Sequence, residues 1–149
     1  MLSLSKKIDY ALLALSYLAH KPYCAANTKE IAEEYALPVE LLAKILQKLA
    51  KAEILVSTSG PTGGYRLLLA PEKISVGAIV DIIEGRPALV QCMRSDSHSC
   101  GQIQKCTIRT PLMRVNARML DMLDEISLAE ICKDETESHL VTIPLLALS

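Results

Sequence analysis

Three cysteines, Cys92, Cys100 and Cys106, fall within fifteen residues, separated by seven and then five positions. The chain holds five cysteines, an odd number that cannot pair completely. In a reducing cytosol such residues serve as metal ligands or redox groups more often than as a disulfide framework. A deprotonated thiol is a soft, already charged ligand, and three of them in one stretch without periodicity can converge on a single centre without strain. Three chemistries stay open at this point: an iron-sulfur cluster completed by a fourth ligand from elsewhere, a zinc site of three cysteines plus His98, or a metal-free thiol switch. Cys24 and Cys132 stand apart and read as small packing residues.

A second constellation lies in the N-terminal half. Between Pro38 and Ala52 the apolar residues Val39, Leu42, Ile45, Leu46 and Leu49 form a helical stripe, which leaves Glu40, Lys44, Gln47, Lys48 and Lys51 pointing outward. That set suits double-stranded DNA: a carboxylate can accept from cytosine, a glutamine can pair with adenine, and lysines can hold phosphates. The plainer reading is the solvated face of an amphipathic helix. The adjoining segment favours DNA, because Ser59-Gly60-Pro61-Thr62-Gly63-Gly64 joins two strand-like runs, Ile54–Thr58 and Tyr65–Leu69. A glycine-rich hairpin tip brings backbone close to a groove or phosphate, with Ser59, Gly60, Thr62 and Gly63 at the tip and Arg66 and Lys7 adding charge.

These side chains need a scaffold. Leu4, Ile8, Ala11, Leu12, Leu15, Leu18 and Ala19 recur at helical spacing, so a first helix is predicted over 3–20, ended by Lys21-Pro22. Asn27 with Glu30 makes a capping box for a short second helix, which Pro38 closes while opening the third. Ser75 caps a helix through Ile83, and Gly85 stops it. From Pro111, Leu112, Val115, Met119, Met122 and Ile126 are spaced three, four, three, four, the heptad seam of a helix that pairs with another. A short helical continuation over 127–132 and a tail, 140–149, close the chain. The predicted fold is mainly α with a small β-hairpin wing. A winged helix-turn-helix unit occupies residues 1–70, and a segment over 86–106 with a long C-terminal dimerisation helix and tail fills 71–149.

Half the residues are hydrophobic and only 3% aromatic, which suits helices built on Leu, Ile, Val and Ala and disfavours a β-sandwich. No signal segment or membrane-length apolar run is present, so a cytoplasmic protein is expected. The net charge of -1 does not itself indicate a nucleic-acid partner. Its distribution helps a little: residues 1–70 carry eight basic and six acidic side chains, and residues 71–149 eight and eleven. No Cys-x-x-Cys, nucleotide-binding loop or Ser/His/Asp grouping is present, so an enzyme is not expected.

The opening Leu2–Ala11, the helix pair over 27–52, the wing Gly60-Pro61-Thr62-Gly63-Gly64-Tyr65-Arg66-Leu67, the Ser75 helix and the three-cysteine segment together resemble the IscR/NsrR family of winged-helix regulators. The resemblance implies a homodimer on a palindromic operator, with the long helix crossing to the partner and the cysteines holding an iron-sulfur cluster. It implies a transcription regulator, expected to act as a repressor, that senses cluster status, redox state or nitric oxide. Where one branch of the family has a histidine after the last cysteine, this chain has Arg109, which cannot ligate. Asp9 matches the aspartate that another branch supplies from the partner subunit. Asp9 is therefore the preferred fourth ligand, His98 the alternative, and a 4Fe-4S cluster is preferred over 2Fe-2S. The chain departs from its relatives in a longer first gap between cysteines and in Ser59, where many carry arginine. A regulator of the same fold that uses thiols or zinc without a cluster remains the alternative.

Overall fold

The computed structural model describes residues 4–90, 93, 101–102 and 104–133. Cys92, His98, Cys100 and the tail over 140–149 lie outside the described residues. The elements run α1 (Lys6–Ala19), α2 (Thr28–Glu34), α3 (Val39–Lys51), β1 (Leu55–Thr58), β2 (Gly64–Leu67), a short 3-10 turn at Pro71–Lys73, α4 (Val76–Glu84), α5 (Arg109–Glu125) and α6 (Leu128–Lys133). Mainly helical with one two-stranded antiparallel hairpin, this is the architecture expected from the sequence.

Local chemistry sets the boundaries. The Ser5 side chain accepts from the Lys7 N–H to cap α1, Asn27 Oδ1 accepts from the Glu30 N–H at 2.9 Å to cap α2, and Ser75 Oγ accepts from the Ala78 N–H at 3.1 Å to cap α4. The Glu30 carboxylate answers the Asn27 backbone N–H only weakly, and its main partners lie on α1: it accepts from the Tyr17 hydroxyl at 2.7 Å and from Lys21 at 2.9 Å. A tighter box forms at α6. The Ser127 N–H donates to Glu130 Oε2 at 2.7 Å, and Ser127 Oγ accepts from the Glu130 N–H at 3.2 Å. Helix α5 begins at Arg109, ahead of the expected Pro111. Proline fits there since its missing N–H is one that the first turn leaves unpaired anyway.

Both helices of the helix-turn-helix end alike, on a left-handed residue that is not glycine. Ala36 has φ 51° and Glu53 φ 60°. The next residue reaches back five positions in each case: the Leu37 N–H donates to Ala32 O at 2.8 Å and the Ile54 N–H to Leu49 O at 3.0 Å. These are Schellman closures, which pair carbonyls the helix end would otherwise leave unsatisfied.

One apolar cluster crosses the whole described chain. Ile8, Leu15 and Leu18 from α1, Leu42, Leu46 and Leu49 from α3, Leu55 from β1, Ile74, Ile79 and Val80 around α4, and Leu128 from α6 are all buried together. The ends of α4 and α5 are stitched by backbone bonds: the Val76 N–H donates to Ile126 O at 2.9 Å and the Leu128 N–H to Ile74 O at 2.7 Å. Helix α5 is the exception to burial. It packs one face on α4, yet none of its seventeen residues is buried, and Val115 and Met122 are half or more exposed. Among the described residues no helix is long and apolar enough to cross a membrane.

Candidate nucleic-acid interface and cysteine segment

The α3 stripe sorts cleanly by angle. At about 100° per residue, Glu40, Lys44, Gln47 and Lys51 span roughly 60° of arc opposite the buried Leu42, Ile45, Leu46 and Leu49, and all four are exposed. Lys48 sits about 70° round from the centre of that arc. Although exposed, its ammonium donates to the Ile83 carbonyl at 3.0 Å, in the last turn of α4. Asp9, which the sequence offers as a ligand, is exposed in the first turn of α1. Its carboxylate has no hydrogen-bond or ion-pair partner among the described residues, since Ser5 does the capping.

In the wing, Leu55 pairs with Leu67, Val56 with Arg66, Ser57 with Tyr65 and Thr58 with Gly64. Ser59, Gly60 and Thr62 at the tip are exposed, as is Arg66 on β2 and Lys7 on α1, while Gly63 is half-buried. Gly60 alone of the tip glycines takes a positive φ, 112°, and its carbonyl accepts from the Gly63 N–H at 2.9 Å. Gly64 serves a different end. An isolated bridge joins Ala26 to Tyr65, with the Ala26 N–H donating to Tyr65 O at 3.0 Å and the Tyr65 N–H to Ala26 O at 2.8 Å. A Cβ on Gly64 would collide with the Ala26 carbonyl oxygen and come within 2.8 Å of the Asn27 nitrogen, so glycine is what lets the wing dock on the N-cap of α2. The sequence signal was the doubled glycine before Tyr65, whose second member needed a neighbour to explain it.

In the same first turn of α2, Glu30 joins Tyr17 and Lys21 to tie α1 to α2. Lys21 donates to the Tyr17 hydroxyl at 2.6 Å and to Glu30 at 2.9 Å. Tyr17 first and Lys21 second hold the Glu30 carboxyl below its ordinary range, and Tyr17 first and Glu30 second hold Lys21 above the usual lysine range.

Of the three clustered cysteines only Cys106 is described. It is half-buried, a free thiol just ahead of α5. Among the described residues no three His, Cys, Asp or Glu side chains converge on a point. The flanks of the segment are fastened. The Leu89 N–H donates to Asn116 Oδ1 at 2.9 Å, Arg86 pairs with Asp124 at 3.6 Å, and Met93 closes a cavity of about 350 Å³ with Arg109, Met113, Asn116, Ala117 and Leu120 of α5. The polar ties at Leu89 and Arg86 and the Lys48 contact were invisible to sequence reasoning, since two of the three involve backbone groups far away in the chain.

A family model described as an iron-dependent transcriptional regulator, Rrf2, matches residues 4–134. The chain is 30% identical over 137 residues to the HTH-type transcriptional regulator NsrR of Oceanobacillus iheyensis, covering 91% of this chain and 93% of that one. Among solved structures, CymR, the global cysteine regulator of B. subtilis, superposes with a TM-score of 0.71 at 25% identity, over 90% of this chain and 98% of that one. IscR of T. potens superposes at 0.68 with 27% identity, over 90% and 88%. Its relatives are named as transcription regulators and not as enzymes, and DNA binding follows from that membership. The chain, winged helix-turn-helix included, belongs to the Rrf2 family of transcriptional regulators.

Proposed function

We propose that the protein is a homodimeric, DNA-binding repressor whose grip on its operator is set by the state of the cysteine segment, with Cys92, Cys100 and Cys106 and the partner subunit's Asp9 holding an iron-sulfur cluster. The observation that carries this reading is the bare face of α5. A helix that comes directly after the cysteines packs one side on α4 and leaves Val115 and Met122 of its heptad seam exposed, with Leu112 and Met119 half-buried beside them, as a helix that waits for a second copy would. Its segment-facing end holds Met93 and the Leu89 amide, so the cysteine segment and the pairing surface share one support.

The donor set fits such a cluster. Three thiolates suit iron, and Asp9 is a carboxylate left exposed and without a partner among the described residues. When bound, a cluster supplies a charged, redox-active and chemically labile centre, 4Fe-4S preferred. The chain's own residues do the rest. Glu40 and Gln47 read base edges; Lys44 and Lys51 hold phosphates; Ser59, Gly60, Thr62, Gly63 and Arg66 bring the wing to the adjacent groove or backbone. Asn116 and Asp124 keep the segment's first turn on α5, so that a change in the segment alters how two reading heads are spaced, about 34 Å apart for half-sites one helical turn from each other.

Anaerobic purification, then iron and sulfide analysis and a visible spectrum, tests the cluster. Colour lost on air exposure, and absent from the Cys92→Ala, Cys100→Ala and Cys106→Ala proteins, is the expected result; a colourless protein without iron overturns it. The likeness to a cysteine regulator supports a second reading, in which the same thiols act as a metal-free switch. That version requires a colourless protein whose operator binding responds to thiol oxidation.

A further inference from the structure

The last turn of α4 leaves carbonyls without helical partners. Gly85 closes only one of them, its N–H donating to Asp81 O at 2.9 Å with φ 87°. The Ile83 carbonyl is taken instead by Lys48, a cation at the negative end of the helix and the one lysine of α3 that stands off the outward arc. Two residues past Ile83 the chain turns at Gly85. At Arg86 it is pinned to α5 through Asp124, and at Leu89 it is pinned again through Asn116. The recognition helix is thus bonded to the strut from which the cysteine segment departs.

We propose that Lys48 is a positioning residue that carries the state of the 86–106 segment to the recognition helix, and is not one of the phosphate contacts. A rearrangement of the segment shifts the end of α4, and Lys48 converts that shift into a change in the angle of α3. A move of its ammonium to a phosphate would strip the Ile83 carbonyl of this partner, so Lys48 keeps the contact when DNA binds and the phosphates are left to Lys44 and Lys51. The inference rests on the reading that the cysteine segment governs operator affinity.

The test uses the full-length dimer, and Lys48→Met, which keeps the apolar stem and removes the donor, is compared with Lys48→Arg, which keeps a cationic donor. Two quantities are read: the slope of log affinity against log salt, and the ratio of operator affinities with the segment intact and with Cys106→Ala. A lost phosphate contact lowers the slope by about 0.9. The expected result for Lys48→Met is an unchanged slope, with the ratio reduced to within about twofold of one, while Lys48→Arg retains the ratio. Lys44→Met serves as the comparison in which the slope falls and the ratio survives. Should Lys48→Met behave like Lys44→Met, Lys48 is a phosphate contact and the proposal is overturned while the sensing reading stands. If Cys106→Ala leaves affinity unchanged even with Lys48 in place, the sensing reading fails and takes this inference with it. Melting curves confirm that each variant folds. Should Lys48→Met be unfolded, Lys48→Gln, which removes the charge and keeps a neutral donor, decides: an unchanged salt slope supports the proposal, and a slope lowered by about 0.9 overturns it.

Discussion

Replacing Gly64 by alanine tests how the wing is held. The new methyl would overlap the Ala26 carbonyl oxygen and stand 2.5 Å from the Ala26 carbonyl carbon and 2.8 Å from the Asn27 nitrogen. All three are backbone atoms, so no side chain can swing aside. Relief requires β2 to back away from α2, which breaks both bonds of the Ala26–Tyr65 bridge, at 3.0 and 2.8 Å. Two backbone hydrogen bonds at about 1 kcal/mol each, with loosened packing around the fully buried Ala26, place the cost at about 2–4 kcal/mol. For a chain of this size that lowers Tm by roughly 5–15 °C. Differential scanning calorimetry provides the measurement, with Gly101→Ala as control because none of the described residues lies within 4 Å of its Cβ and its φ is not positive. The control should move stability by less than about 0.5 kcal/mol. A Gly64→Ala protein that melts with the control would refute the docking argument.

The same contacts carry other expectations. Ala36 takes φ 51°, so Ala36→Gly relieves left-handed strain and should raise stability by about 0.5 kcal/mol in chemical denaturation; a loss of stability would show that the Ala36 methyl matters more than its backbone. Tyr17→Phe should cost about 1 kcal/mol at neutral pH, modest because Glu30 is partly screened by solvent. Since Glu30 is held below its ordinary value of 4.5, its contribution is complete above that pH and lost as pH falls through the lower folded value. Lys21 is raised, so its share is complete below 10.5 and does not limit the acid range. The stability gap between wild type and Tyr17→Phe should therefore narrow below about pH 4.5 to the share that the Lys21–Tyr17 bond keeps, and a gap constant down to pH 2 would contradict it. Val115→Glu puts an unpaired carboxylate into the proposed pairing seam. At a cost of about 3 kcal/mol or more, sedimentation should show the dimer dissociation constant rising roughly a hundredfold or further, whereas an unchanged dimer would remove α5 from the interface.

Much of this arrangement is legible in the sequence because it is local. The caps at Asn27 and Ser75, the stop at Gly85 and the stripe of α3 each depend on residues within a few positions of one another, and their spacing is enough to place them. Helix α5 is readable for the same reason, its apolar residues recurring at heptad spacing from Leu112 on. The hidden part is tertiary. Ala36 and Glu53 carry left-handed closures usually assigned to glycine, since a strain of about 1 kcal/mol is readily outweighed by the core packed on either side. Glu30 matches a local capping pattern, and nothing near it in the chain shows that the neighbouring helix also offers Tyr17 and Lys21. Lys48 is a lysine like its neighbours Lys44 and Lys51, set only a little round the helix from them, and its partner, the carbonyl of Ile83, lies thirty-five residues on. Gly64 reads as a turn former, whereas the constraint on it comes from the backbone of Ala26 and Asn27.

The most direct examination of the sensing claim is an oxygen-free titration of operator DNA with the intact protein and with each of its Cys92→Ala, Cys100→Ala and Cys106→Ala variants, at one fixed salt concentration. A coupling of about 1–3 kcal/mol separates the intact protein from all three variants by roughly 5- to 150-fold in Kd. Four superimposable binding curves would leave a DNA-binding protein whose sulfur-bearing segment has no say in how tightly it holds.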